Sequence, residues 1–441
     1  MTRMKRREFV LAGGVSAVLA GCDAPRLGGA DRLAFGATQQ AAPPDLSGID
    51  LYIPGYAPWL AKYQGVPVLE HPRMRRAIPK GYDQNITMLT RFGFDGSVRQ
   101  ALFPVRGHDI AISPDKRLGF FGSMERDTYV AFDPKTLDRI ALGKPVRPYW
   151  IGGGHGAFLG NDLVAVTERA PKRPYSGKPQ DHFGHVTLRD PRSLKIVGDF
   201  STHGIAPHEI RILSDGSHAA IANYGSTVAP GETDYGLPRH IVEPSITVVE
   251  MESGKLVDKY LGNAREQLRH LCARDRETIF AIQAELIGEG EDRHFFKGQA
   301  AAHDADPTNS EGTSYAVAPT VRVNTASGRL VEVGTAAART LMRHGLSIEF
   351  DEAHEEVIAS YPATHTVMVF DAGSGALKHR TECQPIGLQY PCGIALLPGQ
   401  EFYVVAGYMR NLYVFERGTH RLHRELCHYP LNFGHSHIVA A

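Results

Sequence analysis

From Gly107 onward the chain keeps starting again. A histidine heads a short alternating apolar strand, and a polar turn and a second strand follow. A third strand then ends in an acidic or small-residue turn, and a short fourth strand completes the unit. The clearest copy runs through Gly107-His108-Asp109-Ile110, the turn Ser113-Pro114-Asp115, Leu118 to Gly122, Tyr129 to Phe132 with Asp133-Pro134, and Arg139 to Leu142. The order recurs from His155, with Leu163 to Thr167, His185 to Arg189 and Asp190-Pro191, and from His208, with Ala219 to Asn223 and Ser245 to Val249. Further copies open at His270, at His344 and, with a thiol in the imidazole's place, at Cys392. Counting on to His435, the openings are 47, 53, 62, 74, 48 and 43 residues apart.

Four short alternating strands at such a period cannot each bury an apolar face alone. Radial stacking of the units buries those faces, which is the β-propeller solution. The two long intervals mark insertions at Tyr224 to Glu243 and Glu285 to Ala318, read as loops. Gly434-His435-Ser436-His437-Ile438 opens one more unit near the end of the sequence. Asn85 to Phe92, Asp95-Gly96 and Arg99 to Phe103 supply the third strand, turn and fourth strand that this unit lacks. Pairing N- and C-terminal strands would remove the free sheet edges and close the ring. The expectation is an all-β, seven-bladed β-propeller over residues 49–441.

First strands of propeller blades line the central channel, so the residues heading them should meet around one axis. Here they are His108, His155, His208, His270, His344, Cys392 and His435. His203, Glu209, Glu243 and His437 lie close in sequence and are secondary candidates. Imidazole and thiolate suit copper, zinc, iron and nickel rather than magnesium or calcium. WD-repeat propellers also carry a Gly-His pair in each blade, but there it sits further upstream of the turn and its role is structural. His108 stands only six residues before Pro114, which puts it on the inner strand. Crowded imidazoles cannot all be charged, so the cluster must be neutral, bonded through carboxylates such as Glu209 and Glu243, or filled by metal. His182, His240, His294, His303 and His365 are read as structural or solvated.

The N-terminus carries an address. Lys5-Arg6-Arg7 precedes an apolar run from Phe9 to Gly21 that is too short to span a membrane, and Leu19-Ala20-Gly21-Cys22 closes it. The pattern resembles a twin-arginine signal ending in a lipobox, with Cys22 as the lipidated residue of segment 1–22. Residues 23–48, rich in Gly, Ala, Pro and Gln, read as a flexible tether of roughly 25–30 Å r.m.s. span. These features place the body on the periplasmic side of a bacterial membrane, lipid-anchored. The first 21 residues carry a formal charge of +3 and the remainder −3. A near-neutral body without a basic run argues against nucleic acid as a partner.

No Cys-x-x-Cys, His-Glu-x-x-His or Gly-x-Ser-x-Gly occurs. Gly152-Gly153-Gly154-His155 leads into a strand, not a helix, so it reads as backbone passing close to something at the hub. Of the cysteines, Cys383 and Cys427 are the one pair worth testing as a disulfide.

Arg106-Gly107-His108, Gly154-His155-Gly156, His203-Gly204-Ile205-Ala206-Pro207-His208-Glu209, Glu243-Pro244-Ser245 and Leu268-Arg269-His270-Leu271 together resemble the bacterial domain-of-unknown-function 1513 family. That resemblance implies an exported periplasmic propeller associated with proteins of iron acquisition. The lipobox, the tether and the insertion after Glu285 depart from it. The propeller of nitrous-oxide reductases is similar more loosely, in its ring of hub histidines, and the comparison is confined to the fold. Three readings follow: a transition-metal centre, iron or copper, serving uptake, delivery or redox sensing; a non-catalytic scaffold for periplasmic metal-uptake proteins; and a metal-dependent oxidoreductase.

Overall fold

Strand alternation is realised as the repeats require, with apolar side chains packed between neighbouring sheets. The computed structural model describes residues 44–441 except 57–86, 125, 172, 229–238, 286–316, 389, 408–410 and 429–436. The signal, Cys22, and all but the last few residues of the tether lie outside the described residues, as do His294, His303 and His435. Leu46–Ala441 form one compact unit.

Three N-terminal strands come first: β1 (Asp50–Tyr56), β2 (Thr87–Gly93) and β3 (Val98–Phe103). Blade two is β4 (Gly107–Ile112), β5 (Gly119–Ser123), β6 (Tyr129–Phe132) and β7 (Arg139–Gly143). Blade three is β8 (Ile151–Leu159), β9 (Leu163–Arg169), β10 (Phe183–Arg189) and β11 (Ile196–Ile205). Blade four joins β12 (Pro207–Ile212), β13 (His218–Asn223), β16 (Ser245–Glu250) and β17 (Leu256–Leu261), and the small hairpin β14 (Ser226–Val228) and β15 (Arg239–Ile241) projects from it. Blade five is β18 (Glu266–Ala273), β19 (Ile279–Glu285), β20 (Val321–Asn324) and β21 (Arg329–Glu332). Blade six is β22 (Ser347–Asp351), β23 (Glu356–Tyr361), β24 (Thr366–Asp371) and β25 (Leu377–Glu382). Blade seven has β26 (Pro391–Leu396), β27 (Phe402–Gly407) and β28 (Leu412–Glu416), and β29 (Val439–Ala440) ends the chain. Sheet order β29-β1-β2-β3 makes blade one, so the ring of seven closes by pairing the two ends of the chain.

The closure differs in one respect from the expected division. The C-terminus contributes only the innermost strand, and β1, which the repeat pattern did not reveal, supplies the second. Two other readings are corrected. The first insertion contains a hairpin rather than only loop. The expected fourth strand at His423 to Cys427 is instead a short 3₁₀ turn over Arg424–Leu426, flanked by single bridges from Leu422 to Phe415 and His428 to Leu412. Between those bridge partners lie five residues on one side and two on the other, so the surplus loops out. Cys383 and Cys427 are free thiols, as are Cys272 and Cys392.

Second and third strands are buried almost throughout, whereas outer strands such as β25 alternate between half-buried and exposed. Between blades one and two, Tyr52, Phe103, Phe121 and Phe132 form one apolar cluster, with the Phe103 and Phe121 rings edge-on at 5.8 Å. Burying each such ring is worth about 1.5–3 kcal/mol. Charged clamps supplement these seams. The fully buried Glu168 carboxylate accepts from Arg189 and from the Thr187 hydroxyl in its own blade, and Arg189 donates across to the Lys144 carbonyl of blade two. Arg417 of blade seven grips Asp351 at the end of β22, with its Nε 2.8 Å from Oδ2.

Burial alone would raise the Asp351 carboxyl, but hydrogen bonds and charge from Arg417, with help from His354, hold it below the usual range. A carboxyl lowered on folding stabilises the fold above its unfolded value of about 3.9, and the benefit is lost as pH falls through the folded value. Asp351→Asn is therefore expected to lower the melting temperature at pH 7, with the gap to the wild type narrowing below about pH 4. Melts followed by circular dichroism across pH 3–8 check this; a gap independent of pH would mean that the carboxylate charge is irrelevant.

Candidate metal centre

The inner strands do not run to the hub in regular register. β4 shifts register between Gly107 and Ile110, β8 between Gly152 and Gly156, β12 between Pro207 and Ile210, β18 between Leu268 and Leu271, and β26 between Pro391 and Ile394. His108, His155, His208, His270 and Cys392 each lie inside one of these irregularities. A bulge re-aims side chains that would otherwise alternate between the two faces of a strand. The same local device is thus repeated around the ring, and the sequence does not display it.

Four imidazoles converge as a result. His108, His155, His208 and His270 each offer a nitrogen, and these atoms all lie within 4.8 Å of one another. The four side chains are 6%, 3%, 0% and 3% exposed. His437 joins them: its Nε2 is 3.1 Å from His108 Nε2, and its ring centroid is 4.9 Å from that of His155 and 4.7 Å from that of His270. His108 Nε2 is also 3.2 Å from His208 Nε2.

Hydrogen bonds fix two of these rings from behind, and a carboxylate stands behind a third. His208 Nδ1 lies against the Gly153 carbonyl oxygen and 3.0 Å from Arg169 Nη2, which also donates to that oxygen; with its proton on Nδ1 the ring donates to the carbonyl. His270 Nδ1 donates to Glu209 Oε2 at 3.0 Å, and His155 Nδ1 lies 3.0 Å from Asp109 Oδ2. With Nδ1 protonated, each ring turns a bare Nε2 toward the others. The buried His155 Nε2 has no hydrogen-bond partner among the described residues. Carbonyl or carboxylate behind, open nitrogen in front, is how histidines are held for a metal. Metal–imidazole bonds of about 2.0–2.1 Å place adjacent ligand nitrogens about 3.0–3.4 Å apart, and both short contacts of His108 fall in that range. The donor set fits a transition metal.

Electrostatics agree. Burial, then the neighbouring imidazoles and Arg169, push the His208 ring well below its ordinary value. Burial outweighs the Glu209 hydrogen bond and brings His270 down to about 4. Burial alone would raise Glu209, yet Arg211, His155 and His270 together hold it at about 2. Neutral rings backed by an ionised carboxylate are what cation binding needs.

The other candidates are dispersed. His344 is buried beside the cluster, where burial, Arg269 and His270 bring it down to about 3, but its Nδ1 faces the Tyr390 hydroxyl at 3.2 Å and it is not one of the converging four. The buried Cys392 thiol donates to the Tyr390 carbonyl, and burial raises it well above the ordinary thiol value. His203 Nε2 donates to the Gly254 carbonyl, and Glu243 pairs with Lys259. Of the secondary candidates, His437 meets the cluster directly and Glu209 reaches it through His270. Reading Asp109 and Arg169 as supports required knowing the bulges, so sequence reasoning missed both. His182 donates to the Ser176 carbonyl, His365 Nδ1 accepts from the Tyr390 amide, and His240 lies against Tyr175.

The Gly152-Gly153-Gly154 stretch does pass close to the hub. A Cβ on Gly154 would lie 2.7 Å from His108 Cδ2 and 3.0 Å from His208 Cε1.

Fold and site together define a seven-bladed propeller with a buried polyhistidine cluster on its inner strands. The profile of a family described as protein of unknown function (DUF1513) matches residues 101–428, and the chain belongs to that family. No curated protein matches the sequence. Among solved structures, the chain is similar to one described as Kuenenia stuttgartiensis hydrazine synthase, with a TM-score of 0.52 and 13% identity over 76% of this chain and 94% of that one. At that identity the likeness shows the fold alone.

Gly154 and Gly160 separate strain from contact. Both have positive φ, +117° and +58°, but nothing lies within 4 Å of a Cβ at Gly160. Each alanine substitution is expected to cost about 1–3 kcal/mol of backbone strain. Only Gly154→Ala should also displace the His108 and His208 rings, so any metal that elemental analysis finds in purified Gly160→Ala should be missing from Gly154→Ala.

Proposed function

We propose that this protein is an exported, membrane-tethered propeller whose hub holds a transition metal, iron or copper, for uptake, delivery or redox sensing. The observation that carries the reading is the convergence of His108, His155, His208 and His270, three of them backed by a carbonyl or carboxylate and His155 Nε2 left without a partner among the described residues. Such an arrangement costs folding energy unless something binds there, because a buried polar atom without a partner is penalised by about 1–3 kcal/mol. An all-imidazole inner set with no converging thiolate suits iron and copper, and oxygen-preferring ions are disfavoured. The signal-like N-terminus and Cys22 support export and lipid anchoring on the periplasmic side, and the resemblance to a family associated with iron acquisition supports metal-uptake proteins as partners.

A second reading is a metal-dependent oxidoreductase using the same centre. It is favoured by a cavity of ≈ 230 Å³ in the bore, lined by His270 and His437 at one end, where a small substrate could reach the metal.

Elemental analysis of protein isolated from the periplasmic membrane fraction is expected to find iron or copper near one equivalent. His155→Ala and His270→Ala should each reduce this at least tenfold, the effect expected for lost ligands and their supports. His365→Ala, outside the cluster, should leave it unchanged. Equal metal content in all three variants would leave the non-catalytic scaffold. Separately, Cys22→Ala is expected to move the protein from the membrane to the soluble fraction on fractionation, since the proposed acyl anchor would be lost.

A further inference from the structure

Behind the histidines the bore continues, and its chemistry is unlike the core around it. The inner cavity of ≈ 230 Å³ is lined by His270 and His437 toward the cluster and by Asp109, Glu209, Arg211 and Glu349 further along. A second cavity of ≈ 260 Å³ lies beyond, toward Ser214, Arg274 and Glu352. Arg211 and Glu349 line both. Arg211 stands on β12 of blade four and Glu349 on β22 of blade six, with all of blade five between them. Their contact, Nη2 to Oε1 at 3.1 Å, therefore joins two blades that are not neighbours, in front of blade five and where the two cavities meet. The Arg211 side chain is 39% exposed although it sits deep in the ring, so that exposed surface faces the cavities.

The pair is also wired to the cluster. Arg211 Nε donates to Glu209 Oε1 at 2.7 Å, and the other oxygen of the same carboxylate receives His270 Nδ1 and the Leu271 amide. Three carboxylates and one guanidinium give this stretch an excess of negative charge, and low-dielectric walls concentrate such a field along a channel. A small cation is drawn in and an anion is turned away. A cation passing directly from the outer cavity into the inner one moves past the Arg211–Glu349 pair, which lines both.

Resting on the metal-binding reading, we infer that the metal reaches the histidine cluster as a cation through the bore from the Ser214 mouth, and that the Arg211–Glu349 pair is a bolt across this path. Glu349 touches none of the clustered histidines, so its removal alters passage and leaves the donor set in place. The bolt retains the metal kinetically, while the histidines set its affinity.

The test uses the full chain stripped of metal, with Co(II) alone as the probe and EDTA as the acceptor for release. Stopped-flow absorbance gives loading and stripping rates, and titration gives the dissociation constant. In Glu349→Gln both rates should rise about five- to tenfold, the scale set by loss of one ion pair from a barrier. The dissociation constant should stay within about threefold, since the ligands are untouched. Ser214→Trp, in an exposed turn at the outer cavity, should slow both rates in the wild type and in Glu349→Gln alike. Unchanged rates in Glu349→Gln, with normal melting, would overturn the bolt, and unchanged rates in Ser214→Trp would overturn the route. Absence of any Co(II) uptake by the wild type would instead overturn the metal-binding reading on which both rest.

Discussion

The hub is organised by a conflict between imidazole charge and burial. His208 and His270 have ring centroids 4.7 Å apart and are almost without exposure. Two protonated rings at that distance repel by about 3.5 kcal/mol at an effective dielectric of about 20, roughly 2.6 pKa units, before any desolvation is counted. Protonating the set would oppose folding, so the rings are held neutral and their second nitrogens must be given away. The Gly153 carbonyl, Glu209 and, at 3.0 Å, Asp109 take that role. The outward-facing supports and the inward-facing lone pairs are two consequences of the same constraint.

The bulges solve the geometric half of the problem. A regular strand places neighbouring residues on opposite faces, yet His208 has to face the axis while Glu209 reaches sideways to the next blade's His270. An extra residue in the pairing of β12 frees both from strict alternation. The backbone displaced by the bulge needs its own anchoring. Thr167 on the preceding blade donates to the His208 carbonyl at 2.7 Å, and Ser360 does the same for Cys392 at 2.6 Å. Cys392 thus keeps the irregular strand of its neighbours without joining their cluster.

What could be read beforehand follows from what a repeat encodes. The ring of blades was legible because alternation and period are properties of sequence, and so was the convergence of His108, His155, His208 and His270. β1 was hidden because Pro54 and Gly55 argue against an inner-sheet strand and residues 57–86 separate it from β2. The structure accommodates Pro54 because β29 pairs only with Leu51 and Tyr52, so the missing amide falls beyond that pairing among the described residues. His437 could not be singled out from spacing alone: His208 stands two residues before the buried Ile210, whereas His437 stands one before the buried Ile438. The register shift that decides such a case exists only once two strands are paired. His344 was expected at the centre by period, but it precedes β22 in a left-handed conformation, with φ of 55°, and its strand carries no bulge. A repeat predicts which residues approach the axis; local backbone irregularity decides which of them arrive.

Glu209 joins these two scales. One carboxylate oxygen orients a histidine of the cluster and the other holds the guanidinium that stands where the two cavities meet. Any change of charge at the cluster is felt by this carboxylate, because its ionisation already depends on His155 and His270 as well as on Arg211. A cation at the histidines would strengthen the claim of Oε2 on its side and compete with Arg211 for the same negative charge. Arg211 has Glu349, two blades on, as its second partner. The cluster and the passage are thus built on the two oxygens of one buried carboxylate, and neither can be rearranged without regard to the other.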